Sequence, residues 1–292
     1  GYTEWTAVKS AKPLYRGHIQ PRVPLNEYYY DLSDSTGSVW KWQSGLAKEY
    51  GIYGFCIYHY WFGECQLLEK PMEILLQHPE IDINYCICWA NETWRRTWYS
   101  QTEELLVSQS YGDEKEWIRH YRYLSPFFKD KRYIKISGEP VINIYRQNDI
   151  TCLNEMLQKG NELAIEEGFP GIHVIASRNS IGNGNLRSPL IQGLYDFEPG
   201  YSTRNGMNLL EKIQYFGSIE LRHVKNILTK GDKVERFIDM KKINRRIIRN
   251  YKKDSRNTSV PIYPGVCPQW DNTPRRGSKG SVYINDSPEE FE

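Results

Sequence analysis

A chain of 292 residues, 39% hydrophobic and 25% charged, can bury the core of one large globular unit. Its net charge of +2 implies no bulk affinity for nucleic acid, and no run approaches the roughly 20 apolar residues of a membrane span. Six cysteines at this length suit reduced thiols and not a disulfide scaffold, which with the lack of a signal-peptide pattern gives the expectation of a cytoplasmic chain.

In chain order, GSVWKWQSGLAKEYG (37–51) predicts a helix closed by Gly51, and GIYGFCIYHYW (51–61) a first strand. LLEKPMEILLQHPEI (67–81) predicts a helix and INYCICWAN (83–91) a second strand. DEKEWIRHYRYLSPFF (113–128) opens on acids that favour a helix N-terminus. PVINIYR (140–146) is a third strand, and residues 149–168 form a helix ending at Gly168. GIHVIAS (171–177), GLYDFEP (193–199) and VPIYPGV (260–266) are the fourth, fifth and sixth strands.

Strand and helix alternate throughout, which predicts a parallel sheet with crossover helices. A doubly wound sheet and a closed (β/α)8 barrel both fit. GNG (182–184) lacks the spacing of a phosphate loop and reads as a turn. Functional-looking residues follow several strands at their C-terminal ends, as in barrel active sites. The reading is therefore α/β, a single TIM-type (β/α)8 barrel domain over residues 1–292, with six strands counted where eight are needed.

Residues 225–256 hold twelve Lys and Arg against four Asp and Glu. FIDMKKINRRIIRNY spaces Phe237, Met240, Ile243, Ile247 and Ile248 as one helical face, with most cations on the other. It reads as a solvated outer helix, or as a peripheral contact with an anionic inner-membrane surface through residues 237–256.

The aromatic content is high, 22 Tyr and 9 Trp, and much of it sits beside Asn, Glu, His and Arg. Aromatic platforms beside hydrogen-bonding groups suit sugars, which present apolar ring faces and peripheral hydroxyls. Tyr58, His59, Tyr60 and Trp61 end the first strand, Tyr58 and Tyr60 on one face and His59 and Trp61 on the other. In YCICWANETWRRTW (85–98), Cys86 and Cys88 face one way and Tyr85, Ile87 and Trp89 the other. With His59 the two thiols imitate a metal site, but a lone C-x-C is a poor zinc signature and buried structural thiols are favoured; no metal and no cofactor are expected.

Trp89, Asn91 and Trp94 surround Glu92, whose pKa would rise by desolvation among tryptophans and suit acid catalysis; pairing with Arg95 or Arg96 is the competing reading. Glu198, in DFEPGY (196–201), is another strand-end carboxylate, with Asp196 as its orienter. CPQWDNTPRR (267–276) offers Trp270 as a platform, Asp271 and Asn272 as acceptors and Arg275 as a clamp, or else an Asx turn before Pro274. GHIQPRVP (17–24) is an ordered loop carrying His18, Gln20 and Arg22, with no function argued for it.

GYTEWTAVKSAKPLYRGHIQPRVP, YGIYGFCIYHYWFG, LLEKP, CWANETW and PGVCPQWDNTPRR, in that order from residue 1 to 276, resemble the WbsX-type glycosyltransferase family, also described as glycoside-hydrolase-family-99-like. The resemblance implies a (β/α)8 barrel acting on oligo- or polysaccharide, typically in bacterial O-antigen or other surface-polysaccharide gene clusters. The related hydrolases are retaining endo-α-mannosidases that use two carboxylates without metal or nucleotide. In relatives a first strand ending in Tyr-Pro-x-x-His precedes the matched region, and a last strand carries Trp-Asn-Glu-Trp with the catalytic carboxylates. Neither motif occurs here, and Glu289, Glu290 and Glu292 do not replace them. The expectation is thus a partial barrel lacking its first and last strands, poorly stable alone because both edges stay open. No catalytic carboxylate carries over, and Glu92 is the best candidate among the residues present. A non-catalytic glycan-binding protein, or an inactive fragment, is the alternative.

Overall fold

The six apolar runs become six parallel strands lying side by side. The computed structural model describes residues 3–96, 104–179, 186–214, 217 and 236–291. Helices α1 (Glu4–Ser10) and α2 (Ser38–Glu49) lead into strand β1 (Gly54–Trp61) and the short return strand β2 (Gln66–Leu67). Helix α3 (Lys70–Gln77), strand β3 (Asn84–Trp89) and an antiparallel pair, β4 (Trp94–Arg96) with β5 (Glu104–Val107), come next. Helix α4 (Glu114–Lys129), strands β6 (Lys135–Ile136) and β7 (Glu139–Ile144), helix α5 (Leu153–Glu166) and strands β8 (His173–Arg178) and β9 (Ile191–Asp196) continue the alternation. Helix α6 (Gly200–Arg204), strand β10 (Arg236–Asp239), helix α7 (Met240–Asp254), strand β11 (Ile262–Tyr263), helix α8 (Thr273–Arg276) and strand β12 (Ser281–Ile284) complete the elements used below.

Local chemistry sets several boundaries. The Asp113 carboxylate accepts from the Glu116 amide and caps α4. Gly51 takes φ +72 just past α2, the left-handed conformation that stops a helix cheaply. Gly54 opens β1 where a Cβ would lie 2.4 Å from the Asn84 carbonyl oxygen, so only glycine lets the two strands approach.

The main sheet runs β11-β9-β8-β7-β3-β1-β2, with β6 on the side of β7. From β1 to β11 every pairing is parallel, and each strand lies beside the next main strand in sequence. The order never reverses, so there is no topological switch point and the doubly wound alternative is excluded. The sheet is open: among the described residues its end strands, β2 and β11, do not pair with each other. The fold is thus α/β with a mostly parallel, singly wound sheet that does not close, where the sequence reading expects an incomplete (β/α)8 barrel. Strands β10 and β12 form a separate parallel pair that the sequence reading did not anticipate.

The two faces differ. Helices cover one, where Leu75, Tyr85, Ile87 and Phe128 are wholly buried. The other encloses a cavity of about 430 Å³, lined by Tyr58, Cys88, Asn143, Ile175, Tyr195 and Tyr263 among others. Strands from both ends of the row line this one space, so the sheet curls around it.

Candidate functional site

The alternation along β1 decides which aromatics reach the inner face. Tyr58 and Tyr60 do, their rings 6.1 Å apart. His59 and Trp61 point the other way, into the helices. The His59 and His120 imidazoles share a hydrogen bond between their Nε2 atoms at 2.8 Å, and the Trp61 indole stacks on His120 at 4.6 Å while donating to Glu116 Oε1 at 2.8 Å. Trp89, buried on the same side, donates to the Trp61 carbonyl. The expected cleft role of His59, Trp61 and Trp89 is thus corrected: these three are core, because α4 packs on their face. The same parity separates His59 from Cys86 and Cys88. Among the described residues no group of three or more His, Cys, Asp or Glu is placed to hold a metal ion.

The thiols face inward with Asn143, whose Nδ2 lies 3.4 Å from both Cys56 Sγ and Cys86 Sγ. The Cys86 thiol is pushed up, first by its Cys56 neighbour and then by burial, so it is held neutral.

Glu92 sits just past β3. Arg146, just past β7, donates Nε at 2.9 Å to Glu92 Oε2, and its Nη2 lies 2.7 Å from the same oxygen. This partner, 54 positions on, was not named from sequence; the Arg96 side chain lies outside the described residues. The Glu92 side chain is 39% exposed. Asn91 holds the two strand ends in register: it is fully buried, accepts from the Arg146 amide at 2.8 Å and donates to the Arg146 carbonyl at 2.9 Å. It is a clamp and not a ligand group.

Around this ion pair gathers a ring of aromatics. Trp94 meets Tyr60 edge-on at 5.1 Å, and Tyr145 meets Phe197 edge-on at 5.1 Å. Burial raises the hydroxyl pKa of both Tyr60 and Tyr145, and the Glu92 charge adds to each. Arg275 acts on Tyr60 in the opposite sense. Phenols so placed stay protonated and can donate hydrogen bonds. Tyr145, Arg146 and Phe197 were missed from sequence, although PVINIYR ends in the same aromatic-then-polar pattern that singled out YHYWF.

The remaining candidates sit on other strand ends and loops. Glu198 is buried, accepting from the Ser202 amide at 3.0 Å and the Ser202 hydroxyl at 2.6 Å. Desolvation raises its pKa. Asp196 does not orient it; that carboxylate pairs with Arg178 Nη2 at 2.6 Å. Asp271 is wholly enclosed: Gln20 Nε2 donates to Oδ2 at 2.7 Å, His18 Nε2 lies 2.8 Å from the same oxygen, and the Thr273 amide and hydroxyl donate to Oδ1. This is the Asx turn, and it fastens the 17–24 loop to the 267–276 loop. Asn272 Oδ1 accepts the Ser281 amide at 2.7 Å, and Arg275 pairs with Glu4 at 3.0 Å. Asp271 and Asn272, expected to read sugar hydroxyls, are thus engaged in holding these loops together. Trp270 stays 48% exposed. The GNG turn lies outside the described residues.

Two curated relatives, both named "Uncharacterized protein WxcX" and from two strains of Xanthomonas campestris pv. campestris, are each 28% identical over 293 residues. The match takes in 100% of this chain and 38% of the relative, so the chain spans under two fifths of their length. A solved structure titled "Glycoside hydrolase-like protein" is similar in fold, with a TM-score of 0.54 and 12% identity over 99% of this chain and 83% of that one. An endo-α-mannosidase of family GH99 from Bacteroides thetaiotaomicron gives a TM-score of 0.47 at 10% identity, over 85% of this chain and 57% of that one. The family described as Glycosyltransferase WbsX matches residues 1–292, and the chain belongs to it.

Proposed function

We propose that the open end of the sheet binds a glycan chain, and that this chain is the glycan-handling part of an enzyme, a glycosyltransferase or endo-acting glycosidase-like protein, of bacterial surface-polysaccharide or O-antigen synthesis. Family membership and fold support glycan processing. The observation that carries the reading is the Glu92–Arg146 pair, set at the C-terminal ends of β3 and β7 among Tyr60, Trp94 and Tyr145. Aromatic edges and faces stack on sugar C–H surfaces, the phenols donate to sugar oxygens, and Glu92 accepts from sugar hydroxyls. Glu92 is the carboxylate we assign to the reaction, whether water or a sugar hydroxyl is the acceptor. The uninterrupted order of six parallel strands supports a (β/α)8 barrel as the complete architecture.

A second reading, glycan binding without turnover, is favoured by one fact. Glu92, Glu198 and Asp271 each already have partners within the protein. Titrating the chain with oligosaccharides of bacterial surface polymers, followed by tryptophan fluorescence and by mass spectrometry of products, separates the two. The enzyme reading expects saturable binding lost in Trp94→Ala and product lost in Glu92→Gln. Saturable binding without product selects the second reading. No saturable response across the panel removes the cleft assignment.

A further inference from the structure

Helix α7 divides its side chains in a way its core role does not require. Met240, Ile243 and Ile247 turn inward against Tyr283. Arg246 is buried with them, donating to the Ser202 carbonyl at 2.9 Å and lying 3.3 Å from Glu211 Oε1. On the outward face Lys242, Arg245, Arg249 and Lys252 are all exposed, at spacings of three or four that align them in one stripe, and Arg256 is exposed just past the helix end. Ile248, 55% exposed, sits in the middle of it.

A second feature lies alongside. Glu211 bridges to Arg249 at 2.9 Å, so the helical residues 209–214 are anchored on α7. Leu209, Leu210 and Ile213 of this turn share one face and are 74%, 70% and 60% exposed. Large aliphatics at such exposure, beside a cationic stripe with its own outward isoleucine, match a surface that meets acyl chains and anionic headgroups together. A single-stranded nucleic acid would call for aromatic stacking platforms, and the stripe carries no exposed aromatic side chain among its described residues. Among the described residues no helix is long and apolar enough to cross a membrane.

We infer that α7 and residues 209–214 form a docking face for an anionic lipid bilayer, the cations holding the headgroups and Leu209, Leu210, Ile213 and Ile248 entering the interface. The inference is independent of the cleft. Its test is sedimentation of the full chain with phosphatidylcholine vesicles with and without phosphatidylglycerol, at low and high salt. We expect binding only to the anionic vesicles, weakened by salt. A Lys242→Glu, Arg245→Glu, Lys252→Glu variant should lower partitioning more than about tenfold. A Leu209→Ser, Leu210→Ser, Ile213→Ser variant should lower it by about tenfold. All six positions are on the surface, and circular dichroism and thermal melting check that each variant folds. Failure of the parent chain to bind anionic vesicles at low salt overturns the proposal, as does binding that neither variant reduces. Charge-dependent binding that survives the serine variant and is competed by single-stranded RNA marks a general polyanion surface, and overturns it too.

Discussion

The two faces of β1 are built from the same kind of residue and do opposite things. His59 and Trp61 are locked into a stack with His120 under α4, while Tyr58 lines the cavity on the other face and Tyr60 lies beside it on that face. Aromatic richness says nothing of which face a helix will cover. A pleat sends neighbours to opposite sides, and only the packing partner decides between core and site.

The strongest way to break this contrast is to truncate both sides. Trp61→Ala removes a buried ring, its stack on His120 and its bond to Glu116, and should cost about 3–5 kcal/mol in urea unfolding. Tyr60→Ala should cost under about 1 kcal/mol while abolishing any saccharide response. Equal losses for the two would show that the inner face is also structural. Next in size is Asp271→Ala, which strips Gln20 and His18 of their enclosed partner. It should destabilise by about 1–3 kcal/mol, and trypsin cleavage in the 17–24 loop should speed up.

Acid should also act on the helix-packed face. Burial lowers the His59 pKa from 6.5 to about 3, and the His120 pKa falls for the same reason. Because the folded values lie below the unfolded one, the stability tied to these groups is complete above pH 6.5 and is lost as pH falls towards 3. A His59→Gln variant, melted across that range, should show a shallower decline than the parent. The smallest effect is expected from Glu92→Gln: its ion pair is partly exposed, so stability should change by less than about 1 kcal/mol. Turnover or binding is what should fall. A large loss of stability instead would make the Glu92–Arg146 pair a structural tie.

The sheet was legible because its strands are short apolar runs, most of them set apart by helical spacers, and all six fall where the runs lie. Strands β10 and β12 were not, since RFID and SVYI are too short and too mixed to stand out from loop. The site was legible in its face pattern but not in its partners. Glu92 meets Arg146, 54 positions on, and Asp271 meets His18, 253 positions back. Spacing along a chain reports neighbours a turn or a pleat apart; it carries no signal for pairs that only the wound sheet brings together.

That last pair also sets an order of events. A contact spanning 253 residues cannot close until the strands between have wound, so the 17–24 loop must wait for the 267–276 loop to arrive. During synthesis the early loop leaves the ribosome long before its partner exists. The buried carboxylate at Asp271 is therefore a late latch, and a chain stalled before it should carry the 17–24 loop undocked.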